Sequence, residues 1–363
     1  MRYKLLGTSG LRVSELCLGT MTFGENWGWG ATRAESRKIY EAFVEAGGNF
    51  LDTANIYTEG ESEKLLGEFI ATDRERIVLA TKYACYTGQD NPNGAGNHRK
   101  SMVQALEASL KRLKTDYIDL YYVHAWDFLS PVEEVMRALD DLVRAGKVLY
   151  LGISSVPAWV VAQANTLVER YGWSPFVALS IQYNLVERTP ERELLPMAQS
   201  FGVSVTAWSP LAYGLLSGKY TREESKQAAG KVGRLASNQF RFNGRAERDL
   251  TIAHTVQQVA DEISCTPPQV ALAWLRAQSQ GIIPIISGTN ASQLRDNLGC
   301  LDVRLSPEHL QRLDTVSRIP QDHPVDFLAD EGTRQLVYGG IFNSIDTNRH
   351  AQLLNAIQKA EAK

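Results

Sequence analysis

Eight short apolar runs, separated for the most part by segments of helical periodicity, organise this chain of 363 residues. The runs are Leu16–Leu18, Asn49–Thr53, Ile77–Lys82, Ile118–His124, Val148–Ser154, Phe176–Gln182, Val203–Trp208 and Ile282–Ile286. They show little polar alternation, as expected of parallel strands buried on both faces. Between them stand SRKIYEAFVEAGG, SMVQALEASLKRLK and AWVVAQANTLVERYG. In PVEEVMRALDDLVRAGK, Val132, Val135, Met136, Leu139, Leu142 and Val143 recur at spacings of three and four, and Gly146 supplies a C-terminal stop. Eight strands with intervening helices favour an α/β protein closed as a (β/α)8 TIM barrel over an open sheet.

Three segments fall outside that count. RYKLLGTSGLRV reads as a β-hairpin, two apolar arms around Gly7-Thr8-Ser9-Gly10, suited to plug the barrel floor. Leu211 to Asp249 is a long insertion after the seventh strand, rich in Gly, Ser, Lys and Arg, and a loop of that length is usually functional. The tail from about Pro320 ends in a helical pattern, RHAQLLNAIQKAEAK. Near Leu353 to Ile357 that tail has two uses open to it, packing on its own barrel or on a second copy in a homo-oligomer. With no internal linker, residues 1–363 read as one domain with extra C-terminal helices.

Composition narrows the function. A hydrophobic content of 44% and a charged content of 22% are those of a globular enzyme. The formal net charge of −3 argues against nucleic acid as a partner. No secretory h-region opens MRYKLLGTSG, and no run approaches the ~18 apolar residues of a membrane span, so a cytoplasmic protein with no membrane partner is expected. Cys17, Cys85, Cys265 and Cys300 lack paired spacing and read as core residues, with neither disulfides nor a metal site.

In such a barrel the active residues stand at the C-terminal strand ends. Strand two delivers Asp52, with Tyr57 just beyond; strand three delivers Lys82 and strand four His124. Strand five ends in Ser154-Ser155, strand six in Gln182 with Asn184, strand seven in Trp208-Ser209 and strand eight in Ser287. Singly, each has an ordinary explanation: a lone lysine snorkels, and a lone histidine is more often a hydrogen-bonded core residue. Their convergence on one mouth is what points to chemistry. A nearby ammonium favours the phenolate and lowers the pKa of a tyrosine from its usual ~10. Asp52 would hold Lys82 while opposing that effect, His124 would orient a carbonyl oxygen, and Tyr57 would protonate it. The set fits carbonyl reduction.

A hydride source must then bind. GWGATR at Gly28 and GAGNHR at Gly94 both put Arg where the third glycine of a Rossmann fingerprint belongs. Across a barrel mouth, Trp208 offers a face for nicotinamide, and Gln182 and Ser154 offer partners for its carboxamide. The loop SGTNASQLRDNLG, with Ser287, Gly288 and Thr289, lies where barrels bind phosphate, although an ordinary turn and N-cap would read the same.

The stretches NFLDTANIYTEGESEKLLGE, VLATK, DLYYVH, LGISS, IQYN, AWSPLAYGLLSGKY and GTNASQLRDNLG resemble, in order over residues 49 to 299, the signatures of the aldo-keto reductase superfamily. The likeness is to the branch containing bacterial aryl-alcohol-dehydrogenase-like reductases and potassium-channel β subunits. It implies a (β/α)8 barrel and NADPH-dependent carbonyl reduction, with a catalytic tetrad of Asp52, Tyr57, Lys82 and His124. It further implies Thr20, Met21, Gln182, Trp208, Ser209, Pro210, Leu211 and Lys219 along the cofactor, and Gln293, Asp296 and Asn297 at its adenosine end. Three departures stand out: Thr58 replaces the family's glycine after the tyrosine, Ser155 replaces an amide, and Asn290 stands where some relatives place Arg. Lys219 or Arg234 in the long loop would then meet the 2′-phosphate, with NAD as the alternative cofactor. Around the mouth, Phe23, Trp27, Trp29, Tyr83, Tyr86, Trp126 and Phe128 suit an aryl aldehyde or ketone, though about half should pack loop against loop. The competing function is a cofactor-binding, redox-sensing regulatory subunit with little turnover.

Overall fold

The computed structural model describes residues 1–86, 88, 90–219, 246–278, 281–320 and 322–345. Strands β1 (Tyr3–Leu5) and β2 (Arg12–Ser14) pair antiparallel as the expected hairpin. The next eight strands fall on the eight apolar runs: β3 (Cys17–Gly19), β4 (Phe50–Asp52), β5 (Val78–Tyr83), β6 (Ile118–Val123), β7 (Val148–Ser154), β8 (Phe176–Gln182), β9 (Ser204–Trp208) and β10 (Ile283–Ile286). They pair parallel in sequence order, and the sheet closes where Ile285 and Ile286 of β10 meet Cys17 and Leu18 of β3.

Alternation along the strands explains what reaches the mouth. Phe50 on β4, Val78 and Ala80 on β5, Leu120 and Tyr122 on β6, and Ala178 on β8 form one apolar cluster inside the barrel. Because side chains alternate faces with period two, the next members of these inward series are Asp52, Lys82, His124 and Ser180. The polar residues are thus the uppermost layer of the interior. The hairpin closes the opposite end, where fully buried Leu6 and Val13 join the same cluster. Gly152 of β7 makes space in this interior: a Cβ there would lie 2.4 Å from the ring of Tyr122.

Outside the strands lie α1 (Arg33–Glu45), α2 (Glu61–Phe69), α3 (Arg99–Leu113), α4 (Val132–Arg144), α5 (Ala158–Tyr171), α6 (Leu194–Ser200), α7 (Ala246–Glu262), α8 (Pro267–Arg276) and α9 (Ala291–Leu298). On α4 the periodic residues Val132, Val135, Met136, Leu139 and Leu142 are all buried, each burial being worth about 1.5–3 kcal/mol. Gly146, at φ 71°, then reverses the chain into β7. Helices α10 (Pro307–Ser317), α11 (Val325–Ala329) and α12 (Glu331–Tyr338) and a 3-10 turn, Phe342–Ser344, complete the described chain. The insertion after β9 starts with a 3-10 segment, Ala212–Ser217. Its expected end at Asp249 falls inside α7, which begins at Ala246. Residues 220–245, with Arg234, and the tail pattern RHAQLLNAIQKAEAK lie outside the described residues. No helix among the described residues is long and apolar enough to cross a membrane.

Candidate active site

Lys82, 2% exposed, donates all three of its ammonium protons. Nζ lies 2.5 Å from Asp52 Oδ1, 2.8 Å from Thr53 O and 3.3 Å from Tyr57 Oη. Register explains the first contact, because β4 and β5 are neighbours with Asp52 opposite Ala80, one inward step below Lys82. Tyr57 is brought back over the mouth by a turn in which its N–H bonds the carbonyl of Ala54. Its ring then stands edge-on to His124, centroids 5.8 Å apart.

Burial costs the charged form of every group here, and the partners decide the outcome. For Lys82, burial is outweighed by the Asp52 carboxylate and the Tyr57 oxygen, and its pKa is raised to about 12. His124 has burial and the neighbouring ammonium acting together, which push its pKa down to about 3 and leave a neutral imidazole. For Tyr57, burial raises the pKa and outweighs the lowering by Lys82, while Asp52 adds to the rise. The lowering by Lys82 that the sequence suggests is present, and burial together with the Asp52 charge outweighs it. The phenol stays protonated, and its oxygen accepts from Lys82 while its own O–H remains available to donate.

A cavity of about 1270 Å³ opens above these residues, above the usual size of a small-ligand site. Asp52, Tyr57, Lys82 and His124 line it together with Met21, Ser154, Trp208, Ser209, Pro210 and Leu211. Its far end is lined by Lys219, Ser287, Thr289, Gln293, Asp296 and Asn297. Two buried polar atoms here have no hydrogen-bond partner, His124 Nδ1 and Ser180 Oγ. Buried polar atoms are rarely left so in a protein interior. A large cavity with unmet polar groups beside an indole, Trp208, fits a bound nicotinamide dinucleotide.

Residues 15–318 match the aldo/keto reductase family model. The chain belongs to the aldo/keto reductase family. It is therefore an oxidoreductase acting on carbonyl or alcohol groups. Similar proteins include a norsolorinic acid reductase of Aspergillus flavus, 35% identical over 340 residues that cover 91% of this chain and 84% of the relative. The aryl-alcohol dehydrogenase [NADP(+)] of Phanerodontia chrysosporium is 36% identical over 346 residues, 91% of this chain and 89% of its own length. The norsolorinic acid reductase stcV of Emericella nidulans is 37% identical over 352 residues, covering 94% and 86%.

Within this aldo/keto reductase, three expected cofactor residues stand back from the cavity wall. Thr20 is fully buried and donates to Asp52 O at 3.0 Å, so it braces a strand end. Gly288 presents its carbonyl to Thr22 Oγ1, 2.9 Å away. Gln182 ends β8 opposite Trp208, part-buried but not on the wall. Among the aromatics, Trp27 and Trp29 line the cavity, their rings 5.7 Å apart. Phe23, Tyr83 and Trp126 require correction as substrate contacts. Phe23 is fully buried against Phe69, and Tyr83 is fully buried in a stack with Tyr121. Trp126, 8% exposed, packs into the core between strands and helices. Tyr86 and Phe128 are 56% and 67% exposed and do not line the cavity. With Thr22, Tyr213 and Ser217, Ser180 is one of the polar wall residues that sequence reading passed over. Its position two before Gln182 puts it in the same inward series, and that parity was the available signal.

Proposed function

We propose that this protein reduces aldehydes or ketones to alcohols, using NADPH and Tyr57 as the proton donor. Lys82 carries the argument: an ammonium held charged by Asp52 donates to the phenol oxygen, so the remaining phenol proton is the one that can leave toward substrate. As it leaves, negative charge develops on Tyr57 Oη at 3.3 Å from Lys82 Nζ, where the ammonium stabilises it. Neutral His124 orients the carbonyl oxygen, because an imidazole keeps one N–H donor without competing for the proton. A nicotinamide held in this cavity would supply the hydride. Trp208 offers the flat surface for that ring, and Ser154 offers a hydroxyl to its carboxamide. Lys219 beside the cavity supports the phosphorylated dinucleotide, as does the NADP(+) in the name of the Phanerodontia chrysosporium relative. Trp27 and Trp29 favour aryl substrates. Four unpaired cysteines support a cytoplasmic setting.

The test is Tyr57→Phe beside wild type, following loss of NADPH absorbance with aryl aldehydes, short aldehydes and ketones, and NADPH binding by fluorescence. The expected result is unchanged NADPH affinity with kcat lowered about 10²–10⁴-fold, the range of a lost general acid. Undiminished turnover in the variant removes Tyr57 from the role. NADPH binding without turnover by wild type would move the protein toward a regulatory, redox-sensing part.

A further inference from the structure

Directly after Tyr57 the backbone does something its sequence disfavours. Thr58 has φ 47° and Glu59 φ 59°, both left-handed, before Gly60 at φ 85°. For a β-branched residue that conformation is a true outlier, and it persists only where the surroundings hold it. What holds Thr58 is its hydroxyl, fully buried and used twice. Thr58 Oγ1 donates to the carbonyl of Phe23 at 2.7 Å and accepts the N–H of Ser62, in the first turn of α2, at 3.1 Å.

Phe23 stands at the neck of the loop that bears Trp27 and Trp29. That neck is closed by Gly24 N–H to Ala31 O at 3.0 Å and Ala31 N–H to Thr22 O at 2.7 Å. It is also too tight for side chains: a Cβ on Gly30 would lie 2.0 Å from Gly24 O, and one on Gly24 would lie 3.1 Å from Thr58 Oγ1. A glycine at position 58 would adopt the turn without strain but could not make either bond. The chain tolerates the strain and keeps the hydroxyl.

We propose that Thr58 is a positioning residue that clamps the neck of the Trp27–Trp29 loop to the turn carrying Tyr57, and so fixes the aromatic wall at a set distance from the phenol. The proposal rests on the reading of Tyr57 and the indole pair given above only for its kinetic consequence; the clamp itself is a mechanical claim. Its effect is on large substrates that need the wall, not on small ones that reach the phenol without it.

Hydrogen–deuterium exchange on the full chain tests the clamp directly. In Thr58→Val, which keeps the shape and loses the hydroxyl, the amides of Gly24 and Ala31 should exchange about tenfold faster or more while those of α1 are unchanged. Thr58→Ser should exchange like wild type. Thr58→Gly, which sheds the left-handed strain, should loosen the same amides, so a poorly folding valine variant does not remove the test. In steady-state kinetics, Thr58→Val should raise KM for 2-naphthaldehyde about tenfold, the scale of one lost pocket contact, and leave propanal within about twofold. NADPH affinity should not move. The clamp is overturned by unchanged exchange in the valine and glycine variants, by loosening shared equally with α1, or by a serine variant that behaves like valine. A wall set by Thr58 is overturned by KM values for both aldehydes that rise together. If wild type reduces neither aldehyde, the proposed function fails, and the exchange data still decide the clamp.

Discussion

His124 shows how one side chain ties the site's chemistry to the stability of the whole fold. Its pKa falls from an ordinary 6.5 to about 3, through burial and then the Lys82 ammonium. Between those two values the unfolded chain binds a proton that the folded chain refuses, so acidification favours unfolding. The slope is at most about 1.4 kcal/mol per pH unit below ~6.5, and above that pH the group contributes no slope. Solvent reaching His124 through the cavity keeps the real figure under that ceiling. His124→Gln, uncharged at every pH, should therefore show a flatter loss of stability between pH 6 and 4. Urea midpoints measured across that range check this. Parallel profiles for the two proteins would mean that His124 protonates in the folded state as readily as in the unfolded one.

Helix α2 joins the acid-bearing turn to the outer layer, and its packing depends on a missing side chain. A Cβ on Gly67 would sit 2.7 Å from the carbonyl oxygens of Arg112 and Leu113, at the end of α3. Beside it, fully buried Glu63 accepts from Thr81 Oγ1 and from Arg112 Nε, both at 2.6 Å. Gly67→Ala gains about 1 kcal/mol of helix propensity but forces two helices apart, which costs about 1–3 kcal/mol or more against backbone atoms. The variant should thus be less stable than wild type despite its better helix former, measured by chemical denaturation; a more stable variant would show that the helices part freely. At this scale much was readable in advance. Apolar runs marked every barrel strand, and for strands two to four the residues at the run ends, Asp52, Lys82 and His124, line the cavity, because period two carries both. Parity also explains the errors: with Lys82 facing in, Tyr83 must face out, where it meets Tyr121. Thr58 stood out only as a departure from the family's glycine; its left-handed turn was not readable from a β-branched residue, and only the two buried hydrogen bonds explain it. Ser180 was missed because it lies inside an apolar run rather than at its end, although its parity with Gln182 marks it as inward-facing.

Across the whole molecule, the barrel is held to its last helices by a network around one arginine. Arg188, after β8, donates to Glu191 at 2.6 and 3.1 Å, to Asp314 Oδ1 at 3.1 Å and to Ser317 Oγ at 2.7 Å. Its guanidinium also lies over the Trp274 ring of α8, whose indole N–H bonds Asp314 Oδ1 at 3.1 Å. Arg248 of α7 reaches the carbonyls of Val186 and Ser317 at 3.1 and 2.7 Å, so the helix that follows the long insertion shares the same anchor. The side chain of Arg188 is 10% exposed, and its carboxylate partners are 22% and 27% exposed. Such a pair lies between the surface and fully buried cases, and removing the cation leaves two carboxylates facing each other in a part-buried site. Arg188→Met keeps most of the stem over Trp274 and removes only the charge and the donors. It should cost about 2–4 kcal/mol, below the full penalty for a wholly buried pair because solvent reaches the carboxylates. Limited proteolysis should cut first near α10, which has lost its staple, while NADPH affinity stays at the wild-type value because the network does not line the cavity. Denaturation midpoints, the first cleavage site and a dye-free NADPH titration together read this. A Met variant as stable as wild type would reduce the network to the small worth of an exposed ion pair and leave the apolar face of α10 as its attachment.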